Sequence, residues 1–147
     1  MKTNFFIIIS FVFILTNCTT SPINDGAQQN IIIQWHLINV KGGGAVVNNN
    51  FDYETIVWVF NPDGTITIEN NNTDESLEDS LDSGTYEYTI AEIDNISYIY
   101  FPDTDEYGNI MFNSQNEIII NQNITSAGPI TDGYIYTFER VLVVSDE

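Results

Sequence analysis

The chain of 147 residues has one cysteine, Cys18, and one histidine, His36. A single thiol cannot form a disulfide within the chain, so the cross-linked scaffolds of small secreted proteins are excluded. No zinc-ligand spacing, phosphate-binding glycine loop or Ser-His-Asp order is present. His36 has no nucleophile beside it and is expected to lie on the surface. The sequence therefore predicts a protein that is not an enzyme, with no cofactor and no metal.

Basic residues are also scarce. The chain has three Lys and Arg against 21 Asp and Glu, and all the acidic residues lie at or beyond Asp25. Without an N-terminal leader containing Lys2, only Lys41 and Arg140 oppose them, which gives a side-chain charge of −19. Nucleic-acid affinity comes from Lys and Arg, so a nucleic-acid partner is excluded. The acidic stretch at residues 70–83 is expected to be a solvated loop rather than a metal site.

A long hydrophobic run is the third absence. The most apolar stretch, residues 5–15, is shorter than the about 20 residues that a membrane-spanning helix needs. It follows Lys2 and precedes a polar segment, a pattern typical of a cleaved signal peptide. We therefore assign residues 1–17 to a signal peptide, 18–30 to a flexible tether and 31–147 to one folded domain.

The residues at the predicted cleavage site explain the lone cysteine. Leu15-Thr16-Asn17-Cys18 resembles the lipobox of bacterial lipoproteins, although Asn17 replaces the usual small residue. The resemblance implies that Cys18 is acylated, palmitate being one expected chain, after the leader is removed. More than one acyl chain is needed for stable anchoring. The protein is thus expected in the bacterial cell envelope, attached by lipid to a membrane that we take to be the outer one.

The domain has the pattern of an all-β protein. Apolar and polar residues alternate, β-branched and aromatic residues are frequent, and no ten-residue window has a helical stripe. Eight strands are predicted, at residues 31–40, 54–60, 65–69, 84–93, 96–101, 107–113, 117–122 and 134–144. Because most connections are short, adjacent antiparallel pairing is expected, with closure into an eight-stranded up-and-down barrel. A two-sheet sandwich would give the same alternation.

Two residues on the terminal strands suggest a family. Trp35 lies in the first predicted strand, and Arg140 is the one arginine of the last. Together with Trp58-Val59-Phe60 and Ser83-Gly84-Thr85-Tyr86, they resemble the lipocalin-like domains of small bacterial lipoproteins, especially those of flavobacteria. The resemblance implies that Arg140 packs across Trp35 to close the barrel. Lipocalins have a Gly-x-Trp motif in the first strand, and here Ile33 stands in place of that glycine. The helix that follows the barrel in typical lipocalins is not predicted here.

The resemblance and the alternation together suggest a ligand site. The candidate lining side chains share the predicted inner faces of their strands and are Trp58, Phe60, Tyr86, Tyr88, Tyr134, Tyr136 and Phe138. Tyrosine hydroxyls in an apolar lumen would suit a small hydrophobic molecule with a polar head. The alternative is a barrel filled by its own side chains, which would act as an interaction or structural module with an unknown protein partner.

Overall fold

The computed structural model describes residues 30–45, 47–102, 105–114 and 116–145, and all regular structure there is β-strand. No helix that could cross a membrane is found in these ranges. Cys18, the predicted signal peptide and most of the predicted tether lie outside them. The strands are β1 (Asn30–Gly42), β2 (Val47–Asn50), β3 (Ile56–Phe60), β4 (Thr65–Asn70), β5 (Gly84–Glu87), β6 (Thr89–Ile93), β7 (Ile96–Phe101), β8 (Asp105–Phe112), β9 (Glu117–Asn121), β10 (Ile124–Thr125), β11 (Gly128–Pro129) and β12 (Tyr134–Ser145).

Ten of these strands form one antiparallel sheet that is nearly closed into a barrel. Its order is β5-β4-β3-β1-β12-β9-β8-β7-β6, and β2 pairs with β1 beside this path. The first and last long strands are neighbours, paired from Asn30 opposite Ser145 to Gly42 opposite Tyr134. The two edge strands, β5 and β6, follow one another in the chain. The all-β class, the antiparallel pairing and the contact between the terminal strands are therefore confirmed.

The predicted count of eight strands is wrong. The predicted strand at residues 84–93 is divided at Tyr88, because its first half pairs with β4 and its second half with β7. At the division, the Tyr88 N–H donates to the Gly64 carbonyl at 3.3 Å. The path around the barrel thus has nine strands, and we call the division at Tyr88 the seam.

Two short pairings lie in segments that sequence reasoning left as loops. Strand β2 pairs with β1, where the Asn39 amide donates to the Asn48 and Asn50 side chains and to the Asn49 carbonyl. Strands β10 and β11 form a separate two-stranded ribbon. Asparagine side chains can form hydrogen bonds with the nearby backbone. Short strand pairings in such segments are therefore difficult to predict from composition.

Tight turns fix the register of the hairpins. Asp94 and Asn95 both have positive φ, at 52° and 63°, and they link Ile93 directly to its partner Ile96. Two left-handed residues are what a type I′ hairpin requires. The turn between β3 and β4 also has a left-handed residue, Gly64, at φ 84°.

A bulge in β1 keeps its inner face apolar. The register with β12 shifts between Leu37 and Asn39, so one extra residue enters the strand. Leu37 and Val40 are three positions apart and would otherwise face opposite sides, yet both are fully buried. The bulge therefore turns both side chains into the barrel.

The two ends of the barrel differ. The loop end has the long connections β1–β3, β4–β5 and β9–β12, and the turn end has the short connections β3–β4, β6–β7 and β8–β9. At the turn end, residues 30–34 of β1 and 141–145 of β12 pair only with each other. We call this two-stranded extension the terminal ribbon.

Candidate functional site

The predicted lining residues do converge on the inside of the barrel. Trp58, Tyr136 and Phe138 are each 1% exposed. The other four are half-buried and pack against the same core, namely Phe60, Tyr86, Tyr88 and Tyr134. The alternation thus placed every member of the set correctly with respect to the core.

Several of these rings contact aromatic neighbours in the core. The Trp58 and Phe138 centroids are 4.7 Å apart, and Phe101 meets Trp58 edge-on at 6.2 Å. Phe60 and Tyr88 are in edge contact at 5.1 Å beside the seam. Aromatic pairs at these separations are attractive beyond the area that they bury. The interior at this level is filled by side chains.

The acidic loop between β4 and β5 closes the loop end, a role that sequence reasoning missed. The Tyr136 hydroxyl donates to Glu78 Oε1 at 2.7 Å, and the Tyr107 hydroxyl lies 2.9 Å from Ser80 Oγ. Leu81 packs against the core. We call residues 71–83 the plug loop. Leu77 and Leu81, the two aliphatic residues in this acidic stretch, were the available signal.

The two tyrosines beneath the plug loop are stacked, with centroids 5.8 Å apart and 22° between the rings. Burial raises the pKa of Tyr107 to about 12 and also raises the pKa of Tyr136. Both phenols therefore keep their protons at neutral pH. A protonated Tyr136 can donate to the Glu78 carboxylate, so a charged group helps to hold the plug loop over the barrel.

One polar atom in the core has no partner. Among the buried side-chain atoms that the structure describes, Trp58 Nε1 alone makes no hydrogen bond. An unsatisfied buried donor costs about 1–3 kcal/mol, and such groups are uncommon in folded proteins. The Trp58 indole ring lies among the rings of Phe101, Tyr107 and Phe138.

At the turn end, Trp35 lies directly opposite Arg140 in the β1–β12 ladder. The Arg140 side chain is exposed, and the Trp35 ring meets Phe112 edge-on at 6.1 Å. The ladder thus places the predicted pair side by side. Packing of the guanidinium across the indole stays a prediction.

The seam has a cleft of about 510 Å3. Its walls combine the Asp63, Glu87 and Asp105 carboxylates with the Tyr88 and Tyr100 rings. The Asp63 carboxylate already accepts from the Thr65 N–H at 3.0 Å and the Thr65 hydroxyl at 2.7 Å, and these bonds lower the pKa of Asp63. Of the predicted lining residues, Tyr88 reaches this cleft. Within the described ranges, no group of three or more His, Cys, Asp or Glu side chains is arranged to hold a metal ion.

The expected surface position of His36 is wrong, since the residue is 2% exposed. It points outward as its parity requires, but Tyr53 covers it, with ring centroids 5.6 Å apart. Its Nδ1 accepts from the Glu54 N–H at 2.9 Å, and its Nε2 lies 3.1 Å from Gln34 Oε1. Tyr53 in turn donates to Glu139, the cross-strand partner of His36.

Its surroundings favour the neutral form of His36. Burial lowers its pKa, against the opposite effect of the Glu54 and Glu139 carboxylates. With Nδ1 as the acceptor, the proton lies on Nε2, where it can be donated to Gln34. Nδ1 thus holds the loop before β3 and Nε2 contacts Gln34 of β1, so both ring nitrogens make structural contacts.

No protein-family model, curated protein or solved structure matches this chain. The lipocalin-like family therefore stays a prediction from Trp35, Arg140 and the strand pattern.

Proposed function

We propose that this protein is a lipid-anchored, non-catalytic module of the bacterial cell envelope, built on a lipocalin-like barrel whose lumen its own side chains fill. The observation that carries the proposal is the contact between Trp58 and Phe138, two large rings 4.7 Å apart in the core. A barrel of about eight strands leaves room for side chains or one small ligand. Here the rings and the plug loop occupy that room, which supports the interaction module over the ligand carrier.

The envelope location rests on the N-terminal sequence. The leader at residues 1–17 and the lipobox-like Leu15-Thr16-Asn17-Cys18 support acylation of Cys18. The −19 charge would repel the domain from anionic headgroups, so the acyl chains hold it at the membrane. The functional surface is then the outside of the barrel, and its partner there is a protein.

A second candidate function is favoured by Trp58. Its unpartnered Nε1 could donate to the polar head of a small hydrophobic molecule in the barrel. Accommodating such a molecule requires the rings around Trp58 to separate. The two candidate functions differ in whether the core contains a bound small molecule.

The test compares two preparations of the protein. One is purified in mild detergent from its own cells; the other is unfolded in guanidinium, extracted with organic solvent and refolded. For a filled module we expect the same mass by native mass spectrometry and the same Tm, because nothing has been removed. A mass loss together with a lower Tm in the refolded sample would establish the ligand carrier instead, since a bound ligand stabilises the folded state.

A further inference from the structure

The terminal ribbon presents an apolar face that no other part of the described chain covers. Ile31 is 63% exposed, Ile33 44%, Leu142 56% and Val144 49%. Ile31 lies opposite Val144 and Ile33 lies opposite Leu142, so the four side chains form one continuous patch. We call these four residues the ribbon face.

The ribbon face continues the inner surface of the barrel beyond its turn end. Its residues share strand parity with the buried Leu37 and Phe138. Inside the barrel, side chains of this parity pack against other strands. The ribbon strands pair only with each other, so no other strand of the sheet lies beside them. Phe112, which is 59% exposed, and the half-buried Trp35 border the patch. Contiguous exposed apolar surface of this kind marks an interaction site.

The strands of the terminal ribbon contain no acidic side chain, although the chain has 21 of them and Asp146 and Glu147 follow the last strand directly in the sequence. Arg140, one of two basic residues in the mature chain, is exposed and has the same parity as the ribbon face. An arginine at the edge of an apolar patch can bury its stem and extend its guanidinium toward phosphate groups. Tryptophan beside such a patch is typical of membrane interfaces.

The length of chain outside the described structure brings this face to a bilayer. The terminal ribbon begins at Asn30, and Cys18 lies a short polar segment before it. The about 12 residues from Cys18 to Asn30 reach at most about 40 Å when fully extended, and Asn30 lies at the turn end. Anchoring at Cys18 would therefore hold the turn end, and not the loop end, close to the lipid surface.

We propose that the ribbon face docks on the lipid bilayer, with its aliphatic side chains at the headgroup–acyl boundary and Arg140 among the phosphates. Docking orients the barrel so that the loop end faces away from the membrane. A second copy of the chain is a less suitable occupant, because a stable interface uses about 20–30 residues from each partner and this patch is far smaller. The proposal rests on the anchoring at Cys18 that is part of the proposed function.

The lone cysteine allows docking to be tested without the natural acylation. Residues 18–147 contain every described strand, so this chain can be coupled through its Cys18 thiol to a maleimide lipid in zwitterionic phosphatidylcholine vesicles. The vesicles contain lipids brominated on their acyl chains, which quench nearby indoles. The chain has two tryptophans: Trp35 lies beside the ribbon face and Trp58 lies in the core.

We expect quenching of the coupled protein, and we expect Trp35→Phe to abolish it. The double variant Ile33→Gln/Leu142→Gln should also lose the quenching at unchanged net charge. The matched control is Ile90→Gln/Ile130→Gln, which changes two similarly exposed isoleucines, at 40% and 50%, away from the terminal ribbon and should retain it. Far-ultraviolet circular dichroism checks that each variant is folded.

Two results would overturn docking. One is a coupled, folded protein whose tryptophan emission the brominated lipids do not change. The other is a dimer of the uncoupled chain in sedimentation velocity that Ile33→Gln/Leu142→Gln dissociates, which would assign the face to a second copy. If docking is observed in this assay but the protein from cells lacks acyl chains, the proposed anchoring fails and the ribbon face is still a lipid-binding surface.

Discussion

Replacing Tyr136 by phenylalanine tests whether the plug loop is held by the hydrogen bond from the core. The change removes one oxygen, the donor that lies 2.7 Å from Glu78 Oε1, and leaves the ring and its stack on Tyr107 in place. Tyr136 is 1% exposed, so water cannot easily replace the lost group on its side. The Glu78 carboxylate remains half-buried without its donor.

The magnitude follows from that geometry. A hydrogen bond to a charged group contributes about 1.5–3 kcal/mol to the free energy of unfolding. Because Glu78 is only half-buried, partial hydration places the expected loss near the lower limit, about 1.5 kcal/mol. For a domain of this size that corresponds to a decrease in Tm of roughly 5 °C.

The assay is urea unfolding of the wild type, Tyr136→Phe, Glu78→Ala and the double variant. The cycle should give a coupling energy of about 1 kcal/mol or more, with unchanged m-values. Tyr86→Phe is the matched control, because its hydroxyl donates to the Asp82 carbonyl at 2.9 Å at an exposed site, and it should cost less. A Tyr136→Phe variant as stable as the wild type, or a coupling near zero, would refute the assigned role of the plug loop.

Three further predictions concern the outer face, the backbone and the anchor. The lowered pKa of His36 means that its contribution to stability is complete above about pH 6.5 and is lost as the pH falls through its folded-state pKa; unfolding titrations should show a stability loss below pH 6.5 that His36→Gln lacks, and identical profiles would contradict this. Gly108 has φ 153°, and a Cβ there would lie 2.9 Å from the Asn121 carbonyl oxygen, so Gly108→Ala should cost about 1–3 kcal/mol in urea unfolding. Gly64→Ala, at φ 84° with open space, should cost less, and the reverse order would disprove the steric argument. Cys18→Ser should move the protein from the membrane pellet to the soluble fraction on cell fractionation, whereas sedimentation with membranes would reject acylation as the anchor.

The sequence predicted which residues face the core, because that follows from alternation. It did not predict the number of strands, because one segment pairs with two different strands. Trp58, Tyr136 and Phe138 could be assigned to the core because inner and outer positions alternate within a strand. The division at Tyr88 could not be predicted, because residues 84–93 have a continuous β pattern. Nothing in that pattern indicates that its two halves pair with different strands. The number of strands therefore depends on which strands pair in the folded protein.

The candidate site was predictable in membership but not in occupancy. Composition favours inner aromatic residues equally for a ligand pocket and for a filled core, and it does not give the ring separations on which the proposed filled module rests. The plug loop and the burial of His36 depend on contacts across long sequence separations, Tyr136 with Glu78 and Tyr53 with Glu139. No local pattern encodes such pairs, apart from the two leucines of the plug loop.

The most direct test of the filled barrel uses the indole proton of Trp58 as a reporter at the centre of the core. The protein is refolded with isotope labels and mixed with unlabelled lipid extract from its own cells, and nuclear Overhauser effects from the Trp58 Nε1 proton are measured. We expect effects to the rings of Phe101, Tyr107 and Phe138, unchanged by the extract. Effects to protons of an unlabelled molecule, with loss of those to Phe138, would show a guest in the lumen and contradict the account.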